Sequence, residues 1–163
     1  MIMMSIQIIY GYEKPEKVRV LFSEYIQMLI SNDESFKEYL DIQNYDEEIN
    51  DLEKKYGTPD GRLYLLYYDK ELAGCIGLRK IDDENCEMKR LYIRQKFRGK
   101  NLGNILVKKI ITEARDIGYS YMLLDTLPFL KSAIRLYEKY GFYKIERYNN
   151  NPMDNSIYMK LNL

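Results

Sequence analysis

The chain has 163 residues, 46% of them hydrophobic, which suits one folded domain spanning residues 1–163. Its 25 Lys and Arg residues balance 25 Asp and Glu residues, and histidine is absent, which excludes catalytic triads and metal sites that depend on imidazole. Cys75 and Cys86 lie in apolar or strand-like stretches without CxxC spacing, so we expect buried thiols, no disulfide framework and no metal.

The N-terminal segment MIMMSIQIIY is apolar and predicts a first strand. It lacks a basic leader and a small-residue cleavage site, so it does not match a signal peptide. No apolar run reaches the length of about 20 residues that spans a bilayer. These features favour a soluble, cytoplasmic protein with no membrane partner.

Three helices are predicted in the first third of the chain. Pro15 and the helical spacing of apolar residues after it predict a helix over residues 15–30, and shorter helices are expected at 35–43 and 47–56. Residues 31–60 contain ten Asp and Glu residues against three Lys residues. This acidic excess is either a solvated face or a surface that attracts a cation.

Alternating strands and helices are predicted in the rest of the chain. Residues 62–81 predict two strands joined at Asp69 and Lys70, and a third strand follows over 86–93, which together form an antiparallel meander. A helix from about residue 102 ends at Gly118, a strand occupies 121–126, and a second helix from Leu130 ends at Gly141. Two closing strands are expected at 143–148 and 156–163. The order predicts a mixed α/β arrangement with helices on both faces of one sheet.

A basic strand–turn–helix corner is the most distinctive feature of the sequence. Residues 88–115 contain nine Lys and Arg residues against Glu113 alone. A helix that starts near Leu102 leaves backbone N–H groups unpaired at its positive end, and Gly99 and Gly103 allow close approach of a ligand. This corner is either an ordinary basic helix start or a phosphate-binding turn. It is not a Walker A loop, since Arg94 and Asn101 occupy positions that need Gly and Ser or Thr.

Two motifs, which follow one another along the chain, resemble those of the GNAT superfamily of acyl-CoA-dependent N-acetyltransferases. The pyrophosphate motif Q/R-x-x-G-x-G/A of that family matches residues 98–103, which read RGKNLG. The family's A-x-x-L-Y-E-K-x-G-F helix matches residues 133–142. The resemblance is strong over about residues 60–163 and departs at Asn101, where the motif has glycine, and at Leu130, where many relatives have asparagine.

The resemblance implies an α/β (α+β) fold with a central, mixed, mostly antiparallel twisted sheet of about six to seven strands and helices on both faces. It also implies acetyl-CoA as the cosubstrate. The pyrophosphate would lie on the turn at residues 98–103. The pantetheine amides would pair with the strand backbone at residues 91–93, where that strand separates from the strand at residues 122–126. The cofactor-binding residues so assigned are Leu91, Tyr92, Ile93, Arg98, Gly99, Lys100, Asn101, Leu102, Gly103, Asn104, Ala133 and Tyr137.

Two catalytic residues follow from the same resemblance. Glu87 lies on the strand where relatives place a basic carboxylate, and a partly buried Glu would have a raised pKa suited to accepting a proton from the amine. A surface ion pair with Lys89 or a neighbouring strand is the alternative for Glu87, and a water relay is the alternative base. Tyr137 matches the tyrosine that protonates the departing thiolate, although its helical spacing also fits a core aromatic. The backbone N–H near Leu91 is the expected oxyanion donor.

The function predicted is acetyl transfer from acetyl-CoA to a primary amine of a small molecule or peptide, by direct attack in a ternary complex. The acceptor stays unassigned. A non-catalytic acyl-CoA-binding or sensing domain is the alternative. Nucleic-acid binding is disfavoured because the net charge is zero and no RNA-binding signature is present. The resemblance leaves a homodimer open.

Overall fold

A seven-stranded sheet forms the centre of the computed structural model, which describes residues 4–42, 44–151 and 153–163. The strands are β1 Ile6–Tyr10, β2 Arg62–Tyr68, β3 Glu71–Lys80, β4 Asn85–Ile93, β5 Tyr121–Thr126, β6 Tyr143–Ile145 and β7 Ile157–Asn162. Their order across the sheet is β1-β2-β3-β4-β5-β7-β6. Only the β4–β5 pair is parallel, so the predicted mixed, mostly antiparallel sheet is confirmed.

Six α-helices complete the described part of the chain. They are α1 Pro15–Asn32, α2 Phe36–Ile42, α3 Tyr45–Asn50, α4 Leu52–Tyr56, α5 Leu102–Ile117 and α6 Lys131–Lys139. Residues 1–3 of the predicted first strand and Gln43 of the predicted second helix lie outside the described residues. Within the described ranges, no helix combines the length and the apolarity needed to cross a membrane.

Two predicted elements differ from the structure. The single helix expected at 47–56 is two helices, because Asp51 leaves helical geometry and its carboxylate caps α4 by accepting from the N–H of Lys54 at 3.3 Å. The strand expected at 143–148 ends at Ile145. Beyond that residue, Arg147 donates to the carbonyl of Asn151 and Tyr148 donates to Glu87, so the chain turns away from the sheet.

Side chains of alternate residues place helices on both faces of the sheet. Leu63 and Leu65 of β2 pack with Phe22 of α1 on one face. Tyr64 and Leu66, the alternate residues, belong to the core that includes Leu106 and Ile110 of α5. Cys75 and Cys86 are buried free thiols, as expected. The core therefore lies on both sides of β2, β3 and β4, and it packs these strands next to the basic turn that precedes α5.

The parallel pair β4–β5 separates after three residues. Cα pairing runs from Asn85↔Tyr121 to Glu87↔Leu123 and then stops, although β4 continues to Ile93. β5 remains paired with β7 along its whole length, and β4 remains paired with β3. A gap therefore opens in the middle of the sheet, and the backbone of residues 88–93 faces it on one side without a paired strand among the described residues.

A β-bulge in β4 lies at the point where the gap opens. Gly77 pairs with Lys89 and Cys75 with Tyr92, so Arg90 and Leu91 together oppose Ile76. Arg90 has a φ of 62°, an uncommon value for a residue with a side chain. The extra residue leaves backbone groups of this segment outside the regular ladder. The bulge also puts Arg90 on the sheet face that carries Glu87, Lys89 and Tyr92.

Candidate active site

The turn before α5 has the backbone geometry of an anion-binding site. Gly99 has a φ of 81° and Asn101 a φ of 65°, so the asparagine adopts the left-handed conformation that the corresponding motif glycine would allow. No side chain of the described residues caps this end of α5, and the N–H of Ile105 makes the first bond back, to the carbonyl of Asn101 at 3.2 Å. The N–H groups of the first turn are therefore available to a ligand, and they lie at the positive end of the helix.

The positive charges of the corner are divided between structural and available groups. Arg94 makes a two-point ion pair with Glu24 of α1, at 3.0 and 2.7 Å, and Lys96 pairs with Glu71 at 2.9 Å. Arg98 donates to the carbonyl of Ile93 at 3.2 Å, and Lys100 lies over the ring of Tyr68. Neither of these two cations has a carboxylate partner among the described residues, so both remain able to attract an anion.

A cleft of about 500 Å³ runs beside this turn, between β4 and α6. Seven of the predicted cofactor-binding residues line it: Leu91, Tyr92, Ile93, Arg98, Gly103, Ala133 and Tyr137. The other five, at positions 99–102 and 104, belong to the adjoining turn and do not line the cleft. Leu102 is buried in the core and offers only its backbone, while the Oδ1 of Asn104 accepts from the hydroxyl of Tyr140 at 2.5 Å.

A narrow cavity of about 40 Å³, which we call the junction, lies inside the gap between β4 and β5. It shares Tyr25, Leu91, Leu130 and Tyr137 with the cleft. Tyr137 is 7% exposed, and its ring packs on Phe142 with the centroids 5.7 Å apart. Burial, with Tyr25 and Asp125 adding to the effect, raises the pKa of Tyr137 far above its ordinary value. The hydroxyl at the junction is therefore protonated at every physiological pH.

A second open cavity of about 540 Å³, which we call the polar basin, lies on the other side of the junction. It is bounded by residues of α3, α4, β3, β4 and the loop between β6 and β7, including Glu48, Lys55, Arg79, Glu87 and Asn150. Lys89 and Asn151 line both the junction and the basin. The junction therefore adjoins both the cleft and the basin, with which it shares wall residues at the split in the sheet.

Glu87 lies on the wall of the basin but does not have the expected raised pKa. Its side chain is 1% exposed, its Oε1 accepts from Arg79 at 2.7 Å and lies 3.6 Å from the Nζ of Lys89, and its Oε2 accepts from Tyr148. Burial alone would raise the pKa of Glu87, but Lys89, Arg79 and the Tyr148 hydroxyl outweigh it and hold the pKa at about 2. The expectation of a raised pKa is wrong because two cations, the buried Lys89 and the partly exposed Arg79, face the same carboxylate.

A buried ion pair between Glu48 and Arg90 ties α3 to the bulge. The Nε and Nη2 of Arg90 donate to the two oxygens of Glu48 at 2.9 and 3.0 Å, and the hydroxyl of Tyr56 donates to the same carboxylate at 3.0 Å. Burial opposes the ionised form of Glu48, but Arg90 and Lys55 hold its pKa well below the usual range. This pair was not predicted from the sequence, because its members lie 42 positions apart in the chain.

The acidic excess of residues 31–60 is thus mostly a solvated face. Glu34, Glu38 and Asp41 are exposed, whereas Glu48 is 4% exposed and structural. Lys89, which the sequence offered as a surface ion-pair partner of Glu87, is instead buried beside it, on the side of the strand where the period of two places both residues.

The comparisons with known proteins agree with this arrangement. A family model described as the acetyltransferase (GNAT) family matches residues 26–142. A protein of Schizosaccharomyces pombe, named as an uncharacterized N-acetyltransferase, is 40% identical over 89% of this chain and 86% of its own. The crystal structure of an acetyltransferase from Streptococcus agalactiae is similar with a TM-score of 0.76 and 22% identity, over 98% of both chains. A GNAT family acetyltransferase from Elizabethkingia anophelis with acetyl-CoA bound has a TM-score of 0.56 and 29% identity, over 64% of this chain and 77% of its own.

Proposed function

We propose that this chain, which belongs to the acetyltransferase (GNAT) family and is an acyltransferase, transfers an acetyl group from acetyl-CoA to a primary amine by direct attack within a ternary complex. The observation that carries the proposal is the series of three adjoining cavities along the split sheet. An open cavity lies at each end and Tyr137 lies at the narrow junction between them. Two substrates can enter from opposite sides and meet at the junction, so a covalent acyl-enzyme is not needed.

The cleft has the groups that an acyl-CoA requires. The first-turn N–H groups of α5 would hold the pyrophosphate, with Arg98 and Lys100 adding charge. The unpaired edge of β4 at residues 91–93 would bond to the amides of pantetheine as a neighbouring strand would. The acetyl-CoA bound to the Elizabethkingia anophelis relative supports this assignment of the cosubstrate.

The bulge supplies the expected oxyanion donor. When the amine nitrogen attacks the thioester carbon, negative charge develops on the carbonyl oxygen. The backbone N–H near Leu91 would donate to that oxygen from a segment that the buried Glu48–Arg90 pair holds in place. The collapse that follows breaks the carbon–sulfur bond and releases the thiolate.

Glu87 would receive the amine proton through a bridging water. Its carboxylate is ionised throughout the neutral range because its pKa is about 2, so it is available without prior deprotonation. A carboxylate has about four acceptor sites, and the hydrogen bonds from Arg79 and Tyr148 occupy two, so an acceptor site is left for a water on the basin side. Such a weak base contributes by position rather than by basicity.

Tyr137 would stabilise the departing thiolate by donating a hydrogen bond to it. Its raised pKa keeps it as a neutral phenol, the form that can donate, and it lines both the cleft and the junction. Because that pKa lies far above that of a thiol, the phenol keeps its proton and the thiolate is finally protonated from solvent. Because a thiol has a pKa of about 8.5, the thiolate is already a fair leaving group, and the hydrogen bond accelerates the reaction by one or two decades at most.

A thiol-release assay over a panel of amines, with mass spectrometry of the acceptor, tests the proposal. Acetyl-CoA-dependent thiol release together with a gain of one acetyl group on an amine supports transfer. Stoichiometric binding of acetyl-CoA without turnover on any amine would contradict transfer and favour a sensing domain. The Tyr137→Phe variant should bind acetyl-CoA normally and release thiol slowly, which separates catalysis from contaminating activity.

A further inference from the structure

We propose that Lys89 binds a carboxylate of the acceptor, so the acceptor is a primary amine of the amino-acid type. The inference rests on the proposed function, because it names the class of substrate that enters the polar basin. It replaces the broad range of amines that the sequence allows with one chemical requirement.

The side chain of Lys89 is buried but lacks a hydrogen-bond acceptor within the described residues. The side chain is 6% exposed, and the nearest carboxylate oxygen, Oε1 of Glu87, lies 3.6 Å from its Nζ. That distance allows attraction between the charges but is too long for a hydrogen bond. A lysine ammonium has three N–H donors, and that of Lys89 is not sealed from the basin, since the fully buried polar side-chain atoms without a partner among the described residues are the hydroxyls of Tyr67 and Tyr158. A ligand oxygen would satisfy the donors of Lys89.

The carboxylates nearest to Lys89 are already occupied by other groups. Glu87 accepts from Arg79 and Tyr148, and Glu48 accepts from Arg90, Lys55 and Tyr56. Two buried carboxylates thus face four cations in this region: Arg79, Arg90, Lys55 and Lys89. Asp125 of the junction, which accepts from Asn149 and Asn151, is a third carboxylate, so four cations stand against three anions and one net positive charge favours an anionic group on the incoming molecule.

The position of Lys89 suits recognition of an acceptor. It lines both the basin and the junction, and it directly precedes the bulge whose N–H groups would face the reacting carbonyl under the proposed function. A carboxylate bound to Lys89 would therefore hold an amine a few atoms away close to the junction. Positioning of this kind is what direct attack in a ternary complex requires.

A polyamine would find little to bind on the same wall. The remaining acidic residues of the basin, Glu47 and Asp51, pair with Lys54 and cap α4, respectively. The buried cations would repel a second ammonium group.

Matched acceptors test the inference directly. The kcat/KM for leucine is compared with that for leucinamide, which lacks the carboxylate, and with that for spermidine. The peptides Asp-Ala-Ala-amide and Asn-Ala-Ala-amide, which also differ by one carboxylate, distinguish a peptide terminus from a free amino acid. The variants are Lys89→Met, which removes the charge, Lys89→Arg, which keeps it, and Lys144→Met, which alters an exposed strand lysine outside the three cavities.

The expected kcat/KM is about 10- to 100-fold higher for the acid than for its amide, which is the factor that one hydrogen bond to a charged group contributes to binding. Lys89→Met should reduce this preference to less than about threefold, chiefly by raising KM, while Lys89→Arg should retain most of it. Lys144→Met should behave as the unaltered protein. A preference for leucinamide or spermidine, or an acid preference that survives in Lys89→Met, would overturn the inference and leave the proposed function intact.

Direct binding separates the two possible failures. If no acceptor releases thiol, the proposed function fails, and calorimetric titration of leucine and Asp-Ala-Ala-amide into the protein saturated with coenzyme A decides the inference alone. Binding that Lys89→Met abolishes supports a carboxylate site, and absence of binding overturns it. Unchanged coenzyme A affinity in Lys89→Met establishes that the variant is folded.

Discussion

Replacing Gly103 with alanine separates ligand approach from folding. Gly103 lies in the first turn of α5 and lines the cleft. A Cβ placed there would lie 3.6 Å from Cδ2 of Leu136 and 4.0 Å from Cγ1 of Ile93, which is ordinary van der Waals contact. The protein itself therefore tolerates the methyl group, and stability should be kept or slightly raised because alanine favours the helix.

The same methyl group would occupy the space that a phosphate needs to reach the first-turn N–H groups. Loss of one hydrogen bond to a charged group costs about 1.5–3 kcal/mol, so the dissociation constant for coenzyme A should rise about 10- to 150-fold. Isothermal titration calorimetry measures the affinity and urea denaturation measures the free energy of unfolding. Gly103→Val should weaken binding at least as much as Gly103→Ala.

Gly118, at the other end of α5, offers a control with the opposite outcome. Its φ is 108°, so Gly118→Ala forces a side chain into the left-handed region and should lower stability by about 1–2 kcal/mol. The affinity of the Gly118→Ala variant for coenzyme A should equal that of the unaltered protein. Unaltered affinity in Gly103→Ala would refute the reasoning and mean that phosphate does not bind at this turn.

Three further substitutions probe the chemistry and the scaffold. Tyr137→Phe should lower kcat by about 10- to 100-fold with the dissociation constant for acetyl-CoA within about twofold, and normal turnover would make Tyr137 a packing residue only. Glu87→Gln should lower kcat but leave the apparent pKa values of the pH–rate profile unchanged between pH 6 and 9, because a group with a pKa of about 2 does not titrate in that range. A shifted profile would show that Glu87 does titrate there. Because the pKa of Glu87 in the folded protein lies below the usual value of 4.5, its ion pairs stabilise the fold above that pH. This stabilisation should fade as the pH falls from about 4.5 towards 2. Urea denaturation at several pH values measures it, and it should be absent in Glu87→Gln. Glu48→Gln should destabilise the fold by about 3–5 kcal/mol because Arg90 is left buried with less compensation. The exposed neighbour Glu47→Gln should change the free energy of unfolding little in the same assay, and equal effects would contradict a structural role for the buried pair.

Local signals in the sequence were sufficient for the elements and for the turn. The glycines at 118 and 141 end helices with φ values of 108° and 99°, and Asn101 takes the left-handed geometry that its residue type tolerates. Strand β4 and helix α5 begin within one or two residues of the predicted positions. Each of these features depends on neighbours in the chain, which a sequence displays directly.

Features that depend on distant residues were not predictable in the same way. The buried ion pair of Arg90 requires a glutamate 42 positions earlier, and the hydrogen bond from Tyr148 to Glu87 joins residues 61 positions apart. The cations that lower the pKa of Glu87 most, Lys89 and Arg79, lie on the same and the adjacent strand, but the sequence did not show that Glu87 is buried between them. The separation of β4 from β5 was expected from the resemblance and is confirmed by their pairing, which stops at Glu87 and Leu123.

Calorimetric titration of the unaltered protein with acetyl-CoA is the most direct test of the central claim that the cleft beside β4 and α5 binds an acyl-CoA. The account predicts saturable binding with one site per chain, competition by coenzyme A, and loss of affinity in Gly103→Ala. Absence of binding, or binding that Gly103→Ala leaves unchanged, would contradict it.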